Sequence, residues 1–256
     1  MWPQLFAAVL ASAVLSGAGV AAVRDRALLV SAAVSLKEAL TECGAAFQST
    51  TGQPVTFNFA ASNVLARQIV HGAPVDVFVS ADQAQMDYVD RAGALASGTR
   101  ADIAGNLLAI VVPARPAARW DGAAPLLSAG VRRIALGDPR AVPAGVYARA
   151  WLEREGLWHA VEGKIVPVGS VRAAVAAVAA GGADAAIVYR TDAAAFSDVA
   201  VAYLVSGSTA PAIRYAAAVV RRSDRPEAAR RFVEFMQGSQ GQRLLRKHGF
   251  TPSPSS

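Results

Sequence analysis

Short apolar runs alternate with amphipathic helical segments along almost the whole chain, and this alternation leaves few folds open. Residues 27–32 form an apolar run of strand length. From Ser35 the period changes: Leu36, Leu40, Cys43 and Phe47 recur at helical spacing, and Gly52 follows as a stop. Val55, Phe57 and Phe59 alternate as in a strand. Residues 63–70 return to helical spacing, with Leu65 and Ile69 inward. A third strand is predicted over 75–80 and a third helix over 82–91. Such alternation argues for a parallel α/β sheet.

The pattern then starts again. A strand is predicted over 106–112, and Pro113 and Pro116 place a loop after it. Further strands are predicted over 133–136, 165–168, 185–189 and 213–220. Helices are predicted over 145–155, 171–180, 226–236 and 239–248. Two α/β halves joined by long strands predict two lobes with a cleft between them. In open α/β sheets a ligand sits beyond the carboxyl ends of the strands, where these loops and helix starts gather.

Charge and composition narrow the class. The chain of 256 residues is 54% apolar and 17% charged, enough for a sizeable core. Its net charge of +6 is carried mainly by arginine. The densest cluster, 221–231, is broken by Asp224 and Glu227 and reads as a solvated helix face, not a nucleic-acid stripe. Residues 1–23 carry no charged side chain, and an apolar run leads into small residues and then Arg24. Residues 1–22 are therefore read as a secretory signal peptide; the absence of a basic residue before the apolar run leaves an uncleaved membrane anchor as the alternative. Cys43 is the sole cysteine, which excludes an intramolecular disulfide, and it reads as a small buried helix residue. His71, His159 and His248 are too far apart in sequence to form a ligand-spaced metal cluster.

Three predicted strand-to-helix junctions carry a serine at the expected N-cap: Ser35, Ser62 and Ser170. Ser35 with Glu38 reads as a capping box. A fourth junction, 142–145, offers small residues and free backbone N–H groups. Helix N-termini present unpaired donors and partial positive charge, which suits an anion.

Several segments in order carry a family resemblance. Residues 32–36 (AAVSL), 59–62 (FAAS) with 65–69 (LARQI), 72–82 (GAPVDVFVSAD), 137–139 (GDP) with 142–148 (VPAGVYA), 171–172 (VR), 187–189 (IVY) and 249–251 (GFT) resemble periplasmic molybdate-binding proteins of ABC transporters. The resemblance covers about residues 28–251. It implies an α/β, two-lobed periplasmic binding protein fold with a ligand cleft between the lobes and two hinge strands. Lobe 1 would comprise 24–104 plus 212–256 and lobe 2 would comprise 105–211, with hinge strands starting near Gly105 and Ala210. It implies ligand contacts from the hydroxyls and N–H groups of Ser35 and Ser62, the backbone N–H groups of Ala144 and Val171, and the Tyr189 phenol. It implies molybdate or tungstate as ligand, no cofactor, no direct cation ligand, a membrane permease as partner, a monomer, and no catalysis. Asn63 and Arg190 depart from the family pattern beside these positions and bear on selectivity.

Chemistry agrees with that implication. Molybdate at neutral pH carries no proton, so a site needs donors alone, and hydroxyls and amides supply them. No Arg or Lys matches a ligand position; Arg67 and Arg172 lie nearby as surface pairs or indirect electrostatic contributors. Sulfate in the same architecture is the closest alternative. Phosphate keeps a proton and calls for an acceptor; no carboxylate matches a ligand position, though Asp138 is close in sequence. A nucleophilic triad from Ser35, His71 or His159 and Asp138 lacks the G-x-S-x-G elbow. A regulator's sensing half is opposed by the leader and the missing helix-turn-helix.

Overall fold

The structure, a computed structural model, describes residues 26–116 and 118–252. The leader expected over 1–22 lies outside them. The chain builds β1 (Leu28–Ala33), α1 (Lys37–Thr51), β2 (Val55–Ala60), α2 (Ser62–Val70), β3 (Val77–Ser80), α3 (Gln83–Arg91) and β4 (Ala101–Asn106). It crosses to a second body with β5 (Leu108–Pro113), β6 (Ile134–Gly137), α4 (Pro143–Arg154), α5 (Trp158–Val161) and β7 (Ile165–Val168). That body continues with α6 (Val171–Ala179), β8 (Ala185–Tyr189), α7 (Arg190–Ala193) and β9 (Val199–Leu204). The chain returns with β10 (Ile213–Val219), α8 (Pro226–Gln237) and α9 (Ser239–Lys247).

Each lobe holds one five-stranded sheet, in the orders β2-β1-β3-β10-β4 and β7-β6-β8-β5-β9. The sheets are mixed, which corrects the expectation of parallel ones. β1 pairs parallel with β2 and β3, and β6 with β7 and β8, as strand–helix–strand crossovers require. β10 runs antiparallel to β3 and β4, and β5 antiparallel to β8 and β9. The reason is connectivity: β5 and β10 each enter their sheet from the other lobe, without a crossover helix before them.

The strand predicted over 106–112 is two strands in different sheets. Asn106 closes β4, paired with Ile213, while Leu108 opens β5, paired with Tyr189. Leu107 lies between: its N–H donates to Asn106 Oδ1 at 2.9 Å and its carbonyl accepts from the Arg190 N–H at 2.9 Å. The return crossing lies between Leu204 and Ile213.

Helix α1 buries Ala39, Leu40, Cys43 and Phe47, and Phe47 meets Phe232 and Phe235 edge-on at 5.2 and 5.5 Å between centroids. Gly52 ends α1 with φ +76°, the left-handed conformation that glycine adopts without cost. Burial pushes the Cys43 thiol up to about 12, so it stays a protonated core residue. In the second lobe Trp151 packs in the core and stacks on Tyr203 at 6.3 Å. No helix among the described residues is long and apolar enough to cross a membrane.

Candidate functional site

Four helix starts converge between the sheets. β1 runs into a 3-10 turn, Val34–Leu36, before α1; α2 begins at Ser62, α4 at Pro143 and α6 at Val171. Each first turn leaves N–H groups without intrahelical partners and adds partial positive charge. Pro143 occupies the first helical position, where its missing N–H costs nothing, so the free amides of α4 begin at Ala144. Close approach brings that helix in: a Cβ on Gly145 would lie 1.8 Å from the Gly137 carbonyl oxygen, so only glycine lets α4 start against β6.

The convergence lines a small, half-open cavity with about 10 Å³ for the centre of a water-sized sphere. Ser35, Ser62, Ala144, Val171 and Tyr189 all line it. The remaining wall is aliphatic: Ala33, Val34, Ala61, Ala81, Val142 and Pro143. No carboxylate and no basic side chain belongs to the lining.

Ser35 and Ser62 do not cap their helices, and this corrects two of the three expected N-caps. Ala61 holds the N-cap position of α2, and no side-chain cap bond forms there or at the start of α1. The Ser35–Glu38 capping box is likewise not formed, because a 3-10 turn intervenes and Glu38 reaches Arg172 instead. Ser170 alone of the three behaves as expected, its hydroxyl accepting from the Ala173 N–H at 3.2 Å.

Tertiary partners orient the two lining serines. Ser62 Oγ accepts the Ala81 N–H at 3.0 Å. Asn106 Oδ1 accepts from Leu107, which fixes its amide so that Nδ2 donates to Thr191 Oγ1 at 2.9 Å and to Tyr215 Oη at 3.2 Å. The Tyr215 phenol and the Ser35 hydroxyl lie 3.2 Å apart, and either can donate to the other. Ser62 Oγ thus receives a donor and keeps its proton for a further acceptor, and Ser35 can do the same with Tyr215 as its donor. The Tyr189 hydroxyl sits 3.5 Å from the Ala81 carbonyl, the outer limit of a hydrogen bond, and is free to serve a closer acceptor. Complete burial, reinforced by the neighbouring Tyr215, holds the Tyr189 phenol well above its usual range, so it remains a donor.

The other candidates fall outside the cavity lining. Asp138 is held by Arg140 at 3.2 Å, and that guanidinium lowers its pKa. His71 Nδ1 bonds the Arg67 carbonyl at 2.8 Å, and His159 lies exposed beside Glu162. The paper triad of Ser35, histidine and Asp138 is therefore not assembled. Arg67 is exposed on α2, whereas Arg172 is largely buried between two carboxylates. Asn63 is buried with its Oδ1 unpartnered, and Arg190 donates to the Gly249 carbonyl. Among the described residues no cluster of three metal-ligating side chains occurs.

Tyr215, Asn106 and Ala81 escaped the sequence reading. A lone phenol in the apolar stretch Ile213–Val219 signals a buried polar partner, but that partner lies 180 positions away in Ser35.

The model of the bacterial extracellular solute-binding proteins matches residues 28–251. The chain belongs to that family. It is similar to the molybdate-binding protein ModA of Escherichia coli, with 35% identity over 98% of both chains. It is also 34% identical to the molybdate-binding protein ModA of Mycobacterium tuberculosis, over 88% of this chain and 84% of that one. Among solved structures, the periplasmic molybdate-binding protein of Azotobacter vinelandii superposes with a TM-score of 0.79 at 26% identity, over 89% of this chain and all of that one. Family members of this kind bind solutes and are not enzymes, and the two-lobed architecture is theirs.

Proposed function

We propose that this protein binds molybdate, and tungstate as a second ligand, in the cavity between its lobes and delivers it to the membrane permease of an ABC transporter. The observation that carries the reading is a cavity rich in donors and without a carboxylate or a basic side chain in its lining. Ser35, Ser62 and Tyr189 offer hydroxyl protons, and Ala144 and Val171 offer first-turn amides, joined by the amides of the two serines. Such a set suits a fully deprotonated tetrahedral oxyanion and gives a protonated one no carboxylate acceptor. Charge is balanced by helix ends and oriented dipoles, each about 0.3–2 kcal/mol, converging on one point. Hydrogen bonds to an ionised ligand add about 1.5–3 kcal/mol each. The names of the relatives support molybdate over other oxyanions of the same shape.

The same reading makes residues 1–22 an export leader, places the mature monomer in the periplasm, and treats 24–104 plus 212–256 and 105–211 as lobes, with Gly105 and Asn106 moved to the first lobe because they pair with β10 and the crossings placed at Leu107 and within 205–212. Thermal unfolding with each anion tests it. A ligand that binds only the folded state adds about 2.7 kcal/mol at a hundredfold excess over Kd. Molybdate and tungstate should raise the melting temperature by several degrees, and phosphate should leave it unchanged. A larger rise with sulfate than with molybdate would make sulfate the ligand, and no rise with molybdate would remove the assignment.

A further inference from the structure

An ion-pair cluster joins the lobes beside the cavity, and the proposed ligand contacts make no use of it. Arg172 follows Val171 in the first turn of α6, in lobe 2. Its Nε donates to Asp192 on α7 of the same lobe, and its guanidinium carbon lies 5.8 Å from the Phe196 ring centroid. The rest of the fork crosses the cleft. Nη2 donates to Glu38 Oε2 at 2.6 Å and Nη1 to Glu38 Oε1 at 3.2 Å. Glu38 belongs to the first turn of α1, in lobe 1, just past Ser35.

Burial grades across the cluster. The Asp192 side chain is 0% exposed, Arg172 16% and Glu38 45%. The inner pair is thus built into lobe 2, and the Glu38 half is the part that can separate into water. Orientation is set in advance: Asp192 and the Phe196 ring hold the planar fork so that two N–H groups face lobe 1.

Resting on the molybdate reading above, we propose that Arg172 is a positioning residue that holds the loaded cleft shut, clasping Glu38 only when the lobes have closed. The electrostatics favour this coupling. A free Glu38 carboxylate one turn from Ser35 opposes a dianion in the cavity. Closure pairs that carboxylate with Arg172 and removes the opposition. Ligand and clasp then stabilise the same closed state, so each strengthens the other. The clasp is absent before closure, so it slows ligand release more than it speeds capture.

Stopped-flow binding and release of molybdate tests this on Glu38→Gln, which leaves the Arg172–Asp192 pair in place. Removing Arg172 itself strands a buried carboxylate and is open to misfolding. Glu38→Gln should release molybdate about three- to tenfold faster, a factor suited to a half-exposed pair, with the association rate changed less than about twofold. Melting of the ligand-free variant should match wild type, and Glu38→Asp should restore part of the slow release. Added salt should speed release from wild type and leave Glu38→Gln nearly unchanged. Molybdate bound by Glu38→Gln with a wild-type release rate would overturn the clasp and leave the molybdate reading standing. An equal loss of stability in ligand-free and loaded Glu38→Gln would overturn it too, by making the pair a general structural contact. A wild-type protein that binds no molybdate would remove both readings.

Discussion

At the scale of single residues, the two serines matter for the direction of their protons. Ser62 Oγ accepts the Ala81 N–H and so has its proton to give, and Ser35 Oγ shares a hydrogen bond with the Tyr215 phenol that leaves its own proton to give when the phenol donates. Ser35→Ala and Ser62→Ala should each raise the molybdate Kd about ten- to hundredfold, the value of one charge-assisted bond. Neither loses a helix cap, since neither is one. Each does strand a buried donor, so the ligand-free proteins should also lose about 1–3 kcal/mol. Calorimetric titration beside denaturant unfolding separates the two effects, and unchanged affinity in both variants would dismiss the site. The sequence pointed to these hydroxyls through their place at strand-to-helix junctions. It misassigned their bonds, because their partners lie 19 and 180 positions away and local spacing carries no trace of them.

At the scale of elements, close backbone packing aims the helix starts. Helix α4 reaches the cavity because Gly145 sits against the Gly137 carbonyl, where a Cβ would come within 1.8 Å. Gly145→Ala should therefore push the start of α4 outward, cost about 1–3 kcal/mol by overpacking, and weaken molybdate binding by misplacing the Ala144 amide. Unfolding curves and titration together check this; an unaltered affinity would mean that Ala144 is not a contact. A second prediction concerns α7. Burial pushes the Asp192 carboxyl up to about 7 against the pull of Arg172, from the ordinary aspartate value of about 3.9. A folded-state pKa raised above the unfolded one favours the folded protein fully below about pH 4, and that contribution is lost as pH rises through about 7. Wild type should lose melting temperature relative to Asp192→Asn across that window, and parallel profiles would refute the shift. The elements themselves were largely legible: α1, α2, α6, β7 and β8 follow from apolar spacing alone. β4 was not, because Ala101–Asn106 contains Asp, Gly and Asn, and it is a strand only through pairing with β10. β9 is different: VAVAYL has the β-branched and aromatic composition of a strand, yet it escaped the sequence reading.

At the scale of the whole molecule, the five lining residues divide between the lobes. Ser35 and Ser62 follow strands of the first sheet; Ala144, Val171 and Tyr189 follow or end strands of the second. A single small anion meets all five only with the lobes together, so ligand binding should shift the population toward the closed form. Small-angle scattering should show the radius of gyration falling when molybdate is added. Tyr189→Phe keeps the ring, which lies 5.7 Å from Tyr215, and removes only the donor. It should close less at equal molybdate and unfold much as wild type does. A wild-type radius that stays constant at saturation would show one lobe holding the ligand alone. What the sequence by itself determined is the two-lobed α/β class and the helix starts at Ser35, Ser62 and 142–145, because apolar periodicity and junction residues are local properties of the chain; Val171 and Tyr189 came as contacts only from the family resemblance. Only the tertiary structure decided that β5 and β10 run against their neighbours, that Ser35 bonds Tyr215 and Ser62 bonds Ala81 with neither capping its helix, and that Glu38 crosses to Arg172. Each of these depends on groups distant in sequence that meet only after the chain has crossed twice between the lobes.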